Sequence, residues 1–410
     1  MLELETCFQQ EIKVMLPRLS INDLAAALPA LGRELVCRIA AKLLDELQAH
    51  CWTQVMAGAC ELVCTRCGVV HRGPGTVLRR GRRTRRLKTS SGPLIFALHQ
   101  VTCGACGRTW SPFAQRLGLV PRQRVSEELE RKLVECVMDL SYAKSCALGA
   151  AWLGGSLSPR TLHKKVQERG AAVVFTPEPV CAVVQADGTM VPAGKNPRGC
   201  DVWLSLQILG RDLDAGRTRV KKRIGGWAMG ARGWERALPS GIATELILTD
   251  REPGVPGFLD HTHPEVRHGL CEWHLGHTLD HLLLLDRVRN EQRKKDVAQL
   301  SRTLSGPLDE RTKAYTAFTD SLAHGPRAQR MLRRSAAQVL YTTARPERTT
   351  SVIEREMREI NRRTDVGVRW SVTGVDNLLR LRHSRRINPD DFERVWSDVQ
   401  MPRFSQVPLP

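Results

Sequence analysis

The spacing of apolar residues changes several times along this chain of 410 residues, and each change predicts a different kind of structure. Residues 1–60 place apolar side chains at mixed three- and four-residue intervals, which predicts helices. The run Leu24–Leu47 is rich in Ala and Leu and carries its charges on one side. Such a helix either packs on the rest of the chain or forms a dimer contact.

Residues 61–113 have a different pattern, in which apolar residues and turn residues alternate over short stretches. Strands are predicted at Thr76–Leu78 and Pro93–Val101. This segment is the first candidate for a separate small module.

Helical spacing returns over residues 114–172, with helices predicted at Ala143–Leu153 and Arg160–Arg169 around a glycine pair. Ser158 followed by Pro159 is a typical helix start. A helix, a glycine turn and a basic second helix fit a helix-turn-helix, although a plain αα-hairpin has the same pattern. The side chains that would face DNA are Arg160, His163, Lys164 and Lys165.

From residue 178 the pattern predicts three strands, a short helix near Trp234–Leu238, a fourth strand, and a last strand that runs into a helix. This order is the mixed-sheet pattern of an RNase H-like α/β domain. Residues 275–345 are predicted to be helical throughout. We therefore assign 178–274 and 346–385 to one domain, the stretch between them to a helical insertion, and 386–410 to a C-terminal tail.

Charge sharpens this picture, because the chain has a formal net charge of +19. A solubility surplus is usually smaller and less one-sided, and an acidic membrane surface is a weaker option because no segment is a lipid-binding amphipath. A polyanion, and by default nucleic acid, is the favoured partner. No membrane span or signal peptide is recognisable, which predicts a cytoplasmic protein whose thirteen cysteines are metal ligands or buried residues rather than disulfides.

Two CxxC pairs, each followed by glycine, lie in the segment 61–113: Cys64 with Cys67, and Cys103 with Cys106. Two such turns can complete a tetrahedral zinc shell, so the segment is predicted to be a zinc ribbon with structural Zn²⁺. Four unrelated buried thiols are the alternative. Cys51 and Cys60 lie nearby and could substitute as ligands, with less typical spacing.

Between the cysteine pairs, residues 79–88 form a strongly basic run. We predict that it lies at the tip of a zinc-held hairpin, bent at Gly81, and that it contacts DNA phosphates. The alternative is a solvated face. The cations concerned are Arg79, Arg80, Arg82, Arg83, Arg85, Arg86 and Lys88.

Three acids are candidates for catalysis: Asp187 after an apolar strand, Asp250 after a second one, and Glu354 in the first turn of a basic helix. Each has a structural alternative. Asp187-Gly188 is a hairpin signal, Asp250 fits a turn or a helix cap, and Ser351 with Glu354 fits a capping box.

Phosphodiester cleavage and strand transfer need an activated oxygen nucleophile and a stabilised leaving oxygen, and two Mg²⁺ ions can serve both. Oxygen ligands suit Mg²⁺, so three carboxylates suffice: Asp187 would bridge the ions, and Asp250 and Glu354 would each bind one. No histidine base is required. Arg358 and Arg362 share a helix face with Glu354 and would neutralise DNA phosphates.

Cys271 and His274 form a CxxH at the start of a helix, with His277 and His281 following. A zinc site is possible there, but no second pair with good spacing accompanies it. A packed structural pair is the favoured interpretation.

The blocks ADGTMV, LTDREPGV, LCEWHLGHTL and TTSVIEREMREINRR resemble those of Mutator-type bacterial insertion-sequence transposases of the DDE class. The resemblance covers roughly residues 60–385, and Thr349–Glu354 is its most specific part. It implies an RNase H-like catalytic domain with a helical insertion before the final Glu. It also implies a catalytic triad of Asp187, Asp250 and Glu354, with Cys271 and His274 as the family's C-x2-H pair. Relatives often have a small residue where Arg251-Glu252 follows Asp250, so Glu252 could compete as a ligand.

The resemblance further implies an enzyme that cuts and joins DNA at the ends of its own element, acting on the bacterial nucleoid as a homodimer or a larger synaptic assembly. Two other functions are considered. A non-catalytic DNA-binding regulator would keep the basic modules without needing the acids, and an RNase H-like nuclease would cut DNA without joining it.

Overall fold

The computed structural model describes residues 21–117, 119–214, 217–238, 243–250, 254–343 and 349–397. Predictions about Arg251, Glu252 and the residues before 21 or after 397 fall outside this range. The described chain divides into two compact units. The first runs to Glu168 and includes Trp396 and Ser397, and the second contains Arg169–Val395.

In the first unit, the long helix α1 (Ile21–Met56) packs against a three-stranded antiparallel sheet. The sheet has the order β3-β4-β5, formed by β3 (Val77–Thr89), β4 (Gly92–Cys103) and β5 (Thr109–Trp110), and a separate small hairpin pairs β1 (Leu62–Val63) with β2 (Val70–His71). Buried Gln48 on α1 donates to Ala97 O at 2.7 Å and accepts from His99 N at 2.9 Å. The second half of α1 therefore has a packing role within the chain, as one of the two interpretations predicted.

The basic run does not lie at the tip of the hairpin, which corrects the prediction. Residues 79–88 form the body of strand β3, and the hairpin turns at Ser90 and Ser91. Gly81 marks a register shift, with φ +113°, so it makes a bulge rather than a tip. The strand forms although it lacks apolar alternation, because β4 pairs with it along its whole length and supplies the buried side chains Phe96 and Leu98.

Helices α2 (Pro112–Arg116), α3 (Glu127–Asp139), α4 (Tyr142–Trp152) and α5 (Pro159–Ala171) follow the small sheet. The last three each begin after a serine whose hydroxyl accepts a backbone N–H three residues on, from Leu129, Lys144 and Thr161. These caps satisfy N–H groups that the first turn of a helix leaves unpaired. The predicted pair of helices around Gly154 (φ +62°) is confirmed.

The second unit is built on a five-stranded mixed sheet with the order β10-β9-β6-β7-β8. Its strands are β6 (Val180–Val191), β7 (Cys200–Asp214), β8 (Arg217–Met229), β9 (Ala243–Thr249) and β10 (Arg267–Leu270). The first three strands are antiparallel neighbours, and β9 and β10 are added parallel to β6. The predicted α/β class and the predicted order of strands are thus confirmed.

Helices cover both faces of this sheet. One face packs on α12 (Ser351–Thr364) and α13 (Val372–Ile387), and the other on α6 (Trp234–Ala237) and α7 (Val255–Thr262). Most of the buried residues of β6 and β7 are apolar, which suits strands that are covered on both faces, and the polar exceptions are Gln185, Asp187, Ser205 and Gln207.

The predicted insertion is helical where it is described. It contains α8 (Glu272–Leu285), α9 (Asn290–Ser305), α10 (Leu308–Ser321) and α11 (Pro326–Thr343), packed around a shared apolar core. Beyond it, residues assigned to a tail form the helix α14 (Pro389–Ser397), in which Phe392 and Val395 are buried. The sequence assigned this segment only as a tail and predicted no helix there. None of the described helices is long and apolar enough to cross a membrane.

Candidate active site and metal centre

The four predicted cysteines converge in the first unit. Cys64 Sγ lies 3.6 Å from Cys106 Sγ, and Cys67 Sγ lies 3.7 Å from Cys103 Sγ. All four sulfur atoms lie within 4.8 Å of one another. Neither of the suggested substitutes, at positions 51 and 60, belongs to this group.

The two cysteine turns have the same backbone geometry. In each, the glycine after the second cysteine adopts a left-handed conformation and donates its N–H to the carbonyl of the first cysteine, for Gly68 at 3.0 Å and for Gly107 at 2.9 Å. A hydrogen bond from the backbone of Cys67 lowers the pKa of the Cys64 thiol to about 6. Four thiols held by such turns could bind a metal such as zinc, which prefers tetrahedral thiolate shells.

In the second unit, the strand register brings Asp187 and Asp250 together. Ala186 on β6 is the partner of Thr249 on the parallel strand β9, so the next residue on each strand is an aspartate. Asp187 lies within the continuous strand β6 rather than in a hairpin turn, so that alternative is wrong. Parallel neighbours place the two carboxyl groups at the same edge of the sheet.

The environment of Asp187 disfavours its charge. Burial, followed by the negative charge of Asp250, raises its pKa to about 7, and Glu354 adds to the effect. The N–H of Gly188, which donates to Asp187 Oδ1 at 2.7 Å, and the charge of His274 act in the opposite direction. Several acids therefore act on one buried carboxyl group, as they do in sites that bind cations.

Glu354 lies in the first turn of α12, and the negative charge of its carboxylate acts on Asp187. The N-cap is Thr350, not Ser351, and no side chain makes the cap hydrogen bond. Instead, Thr350 Oγ1 donates to Glu354 Oε1 at 2.9 Å, and His274 Nδ1 lies 3.9 Å from the same oxygen. The capping-box alternative is therefore wrong.

Buried Gln185 ties α12 to the strand that carries Asp187. Its Nε2 donates to Thr349 O at 3.0 Å, and its Oε1 accepts from Ile353 N at 3.2 Å. A second link joins Thr189 to Asn361, whose side-chain nitrogen donates at 2.9 Å. These residues fix the start of α12 against β6. Sequence reasoning missed them, although a glutamine inside the apolar run of β6 was a visible signal.

Cys271 and His274 also belong to this cluster. Cys271 is the buried N-cap of α8, and Thr350 N donates to its sulfur at 3.3 Å. Burial alone would lower the pKa of His274, but its hydrogen bond with Cys271 and the charges of Asp250 and Asp187 raise it above the ordinary value. The sequence predicted the pair but not the role of Thr350, whose hydroxyl also lies 3.3 Å from His274 Nδ1.

The predicted DNA-binding cations fall into two groups. Several are engaged within the chain: Arg79 with His99, Arg82 with Asp45, Arg85 with Gln123 O, Lys88 with Ser156 O, Lys164 with Glu168, and Lys165 with Glu130 and Glu168. Lys165 is half-buried, so the structure favours a packing role for it. The second group consists of Arg80, Arg83, Arg86, Arg160, Arg358 and Arg362, which are exposed, and Arg362 contacts Glu359 at 2.5 Å. Arg79, Arg82, Lys88 and Lys164 of the first group are exposed as well.

An open cavity of about 470 Å³ lies beside Asp250, and its lining includes Thr189, Met190, Trp203 and Arg232. The cavity reaches Asp250, whereas its lining includes neither Asp187 nor Glu354. The exposed ring of Trp273 lies close to two histidine rings, with its centroid 4.8 Å from that of His274 and 4.9 Å from that of His277.

A comparison with protein families found no family model that matches the chain, and no curated protein matches it. The assignment of an activity therefore depends on the geometry of the site and on the resemblance of the short blocks described above.

Proposed function

We propose that the protein is a DDE transposase that cuts DNA and joins it to a target, with Asp187, Asp250 and Glu354 as the catalytic acids. The observation that carries the proposal is the shared electrostatic environment of these acids, which come from positions far apart in the sequence. A fold that only needed stability would not gather mutually repelling carboxyl groups beside a buried one.

The second unit fits an RNase H-like catalytic domain. Its sheet combines three antiparallel strands with two parallel ones, and the two aspartates lie on the neighbouring strands β6 and β9. In this proposal, Gln185 and the link from Thr189 to Asn361 hold Glu354 in place. The helical insertion separates Glu354 from the aspartates in sequence while the fold keeps them together.

The acids suit Mg²⁺, because all three supply oxygen ligands, and because burial and then the charge of Asp250 raise the pKa of Asp187, an effect that a bound cation would offset. Bound there, two Mg²⁺ ions would activate the attacking oxygen and stabilise the leaving one. Asp187, Asp250 and Glu354 are the residues that would hold those ions. The cavity beside Asp250 would admit the DNA backbone.

The first unit supplies DNA binding in this proposal. The cysteine cluster, holding Zn²⁺, would stiffen the ends of β3 and β4, and the exposed arginines of β3 would contact phosphates. Helices α4 and α5 would form the helix-turn-helix, with Arg160 facing the DNA. Because two element ends must be joined, we propose a dimer or a larger assembly as the active form.

The test is Mg²⁺-dependent cleavage and joining, using a supercoiled plasmid as the target and DNA from the ends of the element as the donor. We expect Asp187→Asn, Asp250→Asn and Glu354→Gln each to lower the rate by roughly a thousandfold, the equivalent of about 4 kcal/mol of transition-state stabilisation. Asp309→Asn, which changes an exposed acid on α10, is the matched control and should keep the rate.

The products separate the three candidate functions. Joined products that need all three acids support a transposase, and nicked products without joining indicate a nuclease. DNA binding that persists in every variant, with no cleavage by the unaltered protein, would indicate a non-catalytic regulator.

A further inference from the structure

Glu354 has a second set of neighbours besides the two aspartates. The sulfur of Cys271, a ring nitrogen of His274 and a carboxylate oxygen of Glu354 lie within 4.8 Å of one another. Thiolate, imidazole and carboxylate together form a donor set that Zn²⁺ accepts and Mg²⁺ does not, because Mg²⁺ requires oxygen ligands.

The start of α8 explains why two of these donors point the same way. Cys271 is the N-cap residue and His274 is the third residue of the helix. Side chains at these two positions of a helix approach each other closely enough to make reciprocal hydrogen bonds. The helix N-terminus also stabilises the thiolate, which is the form that binds metals.

The third donor comes from α12, and Thr350 links the two helices. Its backbone N–H donates to Cys271 Sγ at 3.3 Å, and its hydroxyl donates to Glu354 Oε1 at 2.9 Å. Such hydrogen bonds orient the ligands of a metal from outside its shell. In a tetrahedral zinc site the donors are roughly 3.5 Å apart, so the present group, whose donor atoms lie within 4.8 Å of one another, needs to contract by at most about 1.3 Å.

The side chains of His274 and Glu354 are about a quarter exposed, at 25% and 23%. The site is therefore accessible from solvent and can contract by rotation of these side chains. A water molecule can fill the fourth position, as in zinc sites with three protein ligands.

We propose that Cys271, His274 and Glu354 form a second metal site, for a thiolate-preferring ion such as Zn²⁺, and that an ion bound there competes with Mg²⁺ for Glu354. The competition rests on the proposed function of the acids, whereas the binding of zinc does not. The chain would then contain an inhibitory metal site that shares one residue with its catalytic site.

The binding is tested by the zinc content of the full chain after dialysis against a small excess of Zn²⁺. We expect two bound ions, one of them at the four cysteines, and only one in Cys271→Ser. Cys200→Ser removes a half-buried thiol of β7 and is the matched control that should keep both. Glu354→Gln should lower the affinity of the second ion by about tenfold while preserving the fold.

Cobalt provides a spectroscopic check. When Co²⁺ is added to protein whose four-cysteine site already holds Zn²⁺, a thiolate-to-cobalt charge-transfer band should appear, and it should be absent in Cys271→Ser. A single bound zinc in the unaltered protein, or a band that survives Cys271→Ser, would overturn the site.

Competition is measured with Mn²⁺ as a paramagnetic substitute for Mg²⁺, by following the fraction of Mn²⁺ that is bound. Added Zn²⁺ should weaken Mn²⁺ binding by about tenfold or more in the unaltered protein and by less than about twofold in Cys271→Ser. Equal weakening in both would refute the competition. If both metals behave as expected but no DNA is cleaved, the proposed function fails and the second site stands.

Discussion

The four-cysteine group and the acid cluster both bring distant parts of the chain together, but they depend on a metal in opposite ways. The cysteine turns lie beside the two-residue strands β1, β2 and β5, and Cys64 and Cys103 pack in a small apolar cluster with Val77 and Val101. Asp187 lies on a five-stranded sheet covered by helices on both faces, Asp250 directly follows strand β9 of that sheet, and Glu354 lies on the covering helix α12. In the first region a metal would hold the fold together, whereas in the second the fold holds mutually repelling groups together.

This difference also decides whether a substitution should lower or raise the stability of the protein. Removing a thiol from the first region takes away a bond on which the local structure depends. Removing a carboxylate from the metal-free second region relieves repulsion, so it should stabilise the protein. Such repulsion within a folded region is typical of functional sites, because the residues that serve function best are not those that give the highest stability.

The largest effect is expected in the cysteine group. Cys64→Ser should abolish zinc binding there and lose a local stabilisation on the order of 10 kcal/mol, because structural zinc contributes its binding energy to folding. Zinc content and limited proteolysis within residues 61–113 measure this loss. Cys51→Ser, which changes a half-buried thiol of α1, should keep both the metal and the resistance. If the Cys64→Ser protein resists proteolysis without bound zinc, the local structure does not depend on the metal. The contrast between the two regions would then be wrong.

A smaller effect of opposite sign is expected for Asp187→Asn in metal-free protein. The ordinary pKa of 3.8 is raised to about 7 in the fold, so the folded state holds its proton longer than the unfolded state. Stability from this group is therefore lost as the pH rises from about 4 to about 7, and it stays lost above that.

At about 1.4 kcal/mol per pKa unit, the variant should be more stable than the unaltered protein at pH 8 by on the order of 4 kcal/mol and equally stable near pH 4. Thermal unfolding at both pH values, with chelator present, measures the difference. Saturating Mg²⁺ should reverse this difference in stability, because only the unaltered protein offers the ion all three carboxylate ligands. A variant that is less stable at pH 8 would show that Asp187 is a structural residue.

The smallest effect is expected on strand β3, where the arginines can be divided by their contacts. Among the residues that the structure describes, the side chains of Arg80, Arg83 and Arg86 have no hydrogen bond or ion pair. The side chains of Arg79, Arg82 and Arg85 have partners. Changing the first three to Gln should make DNA binding less dependent on salt concentration. The decrease should correspond to the loss of up to about three phosphate contacts.

The matched set, in which Arg79, Arg82 and Arg85 become Gln, should lower the melting temperature by a few degrees with little change in that salt dependence. Fluorescence anisotropy with duplex DNA at several salt concentrations measures both proteins. Equal salt slopes for the two sets would mean that this strand is not the DNA-binding surface.

The sequence predicts the two regions to different extents. The cysteine group is readable because it repeats one local motif, CxxCG, and each copy supports the interpretation of the other. The acids are single residues, each with an equally plausible structural role. What identifies them is the pairing of β6 with β9 and the link from Gln185 to α12, which are contacts between distant segments.

The wrong predictions have a common physical cause, since local signals were overruled by packing. Asp187-Gly188 is a hairpin signal in isolation, but Gly188 lies in a continuous strand where the ring of Trp203 occupies the space of a side chain. The basic run looked like a hairpin tip because it lacks apolar residues, yet its partner strand supplies them. Ser351 could cap α12 in isolation, but the helix begins one residue earlier than a cap at Ser351 requires.

The side chain of Gln48 has a consequence for how this protein behaves at high concentration. Beyond β3, strand β4 has a second edge, which β5 covers only at Val101 and Thr102. By bonding to Ala97 O and His99 N, the Gln48 amide occupies the positions that a foreign strand would need to extend the sheet. Open strand edges are where chains join into aggregates. We therefore expect the Gln48 amide to disfavour the pairing of another strand with β4.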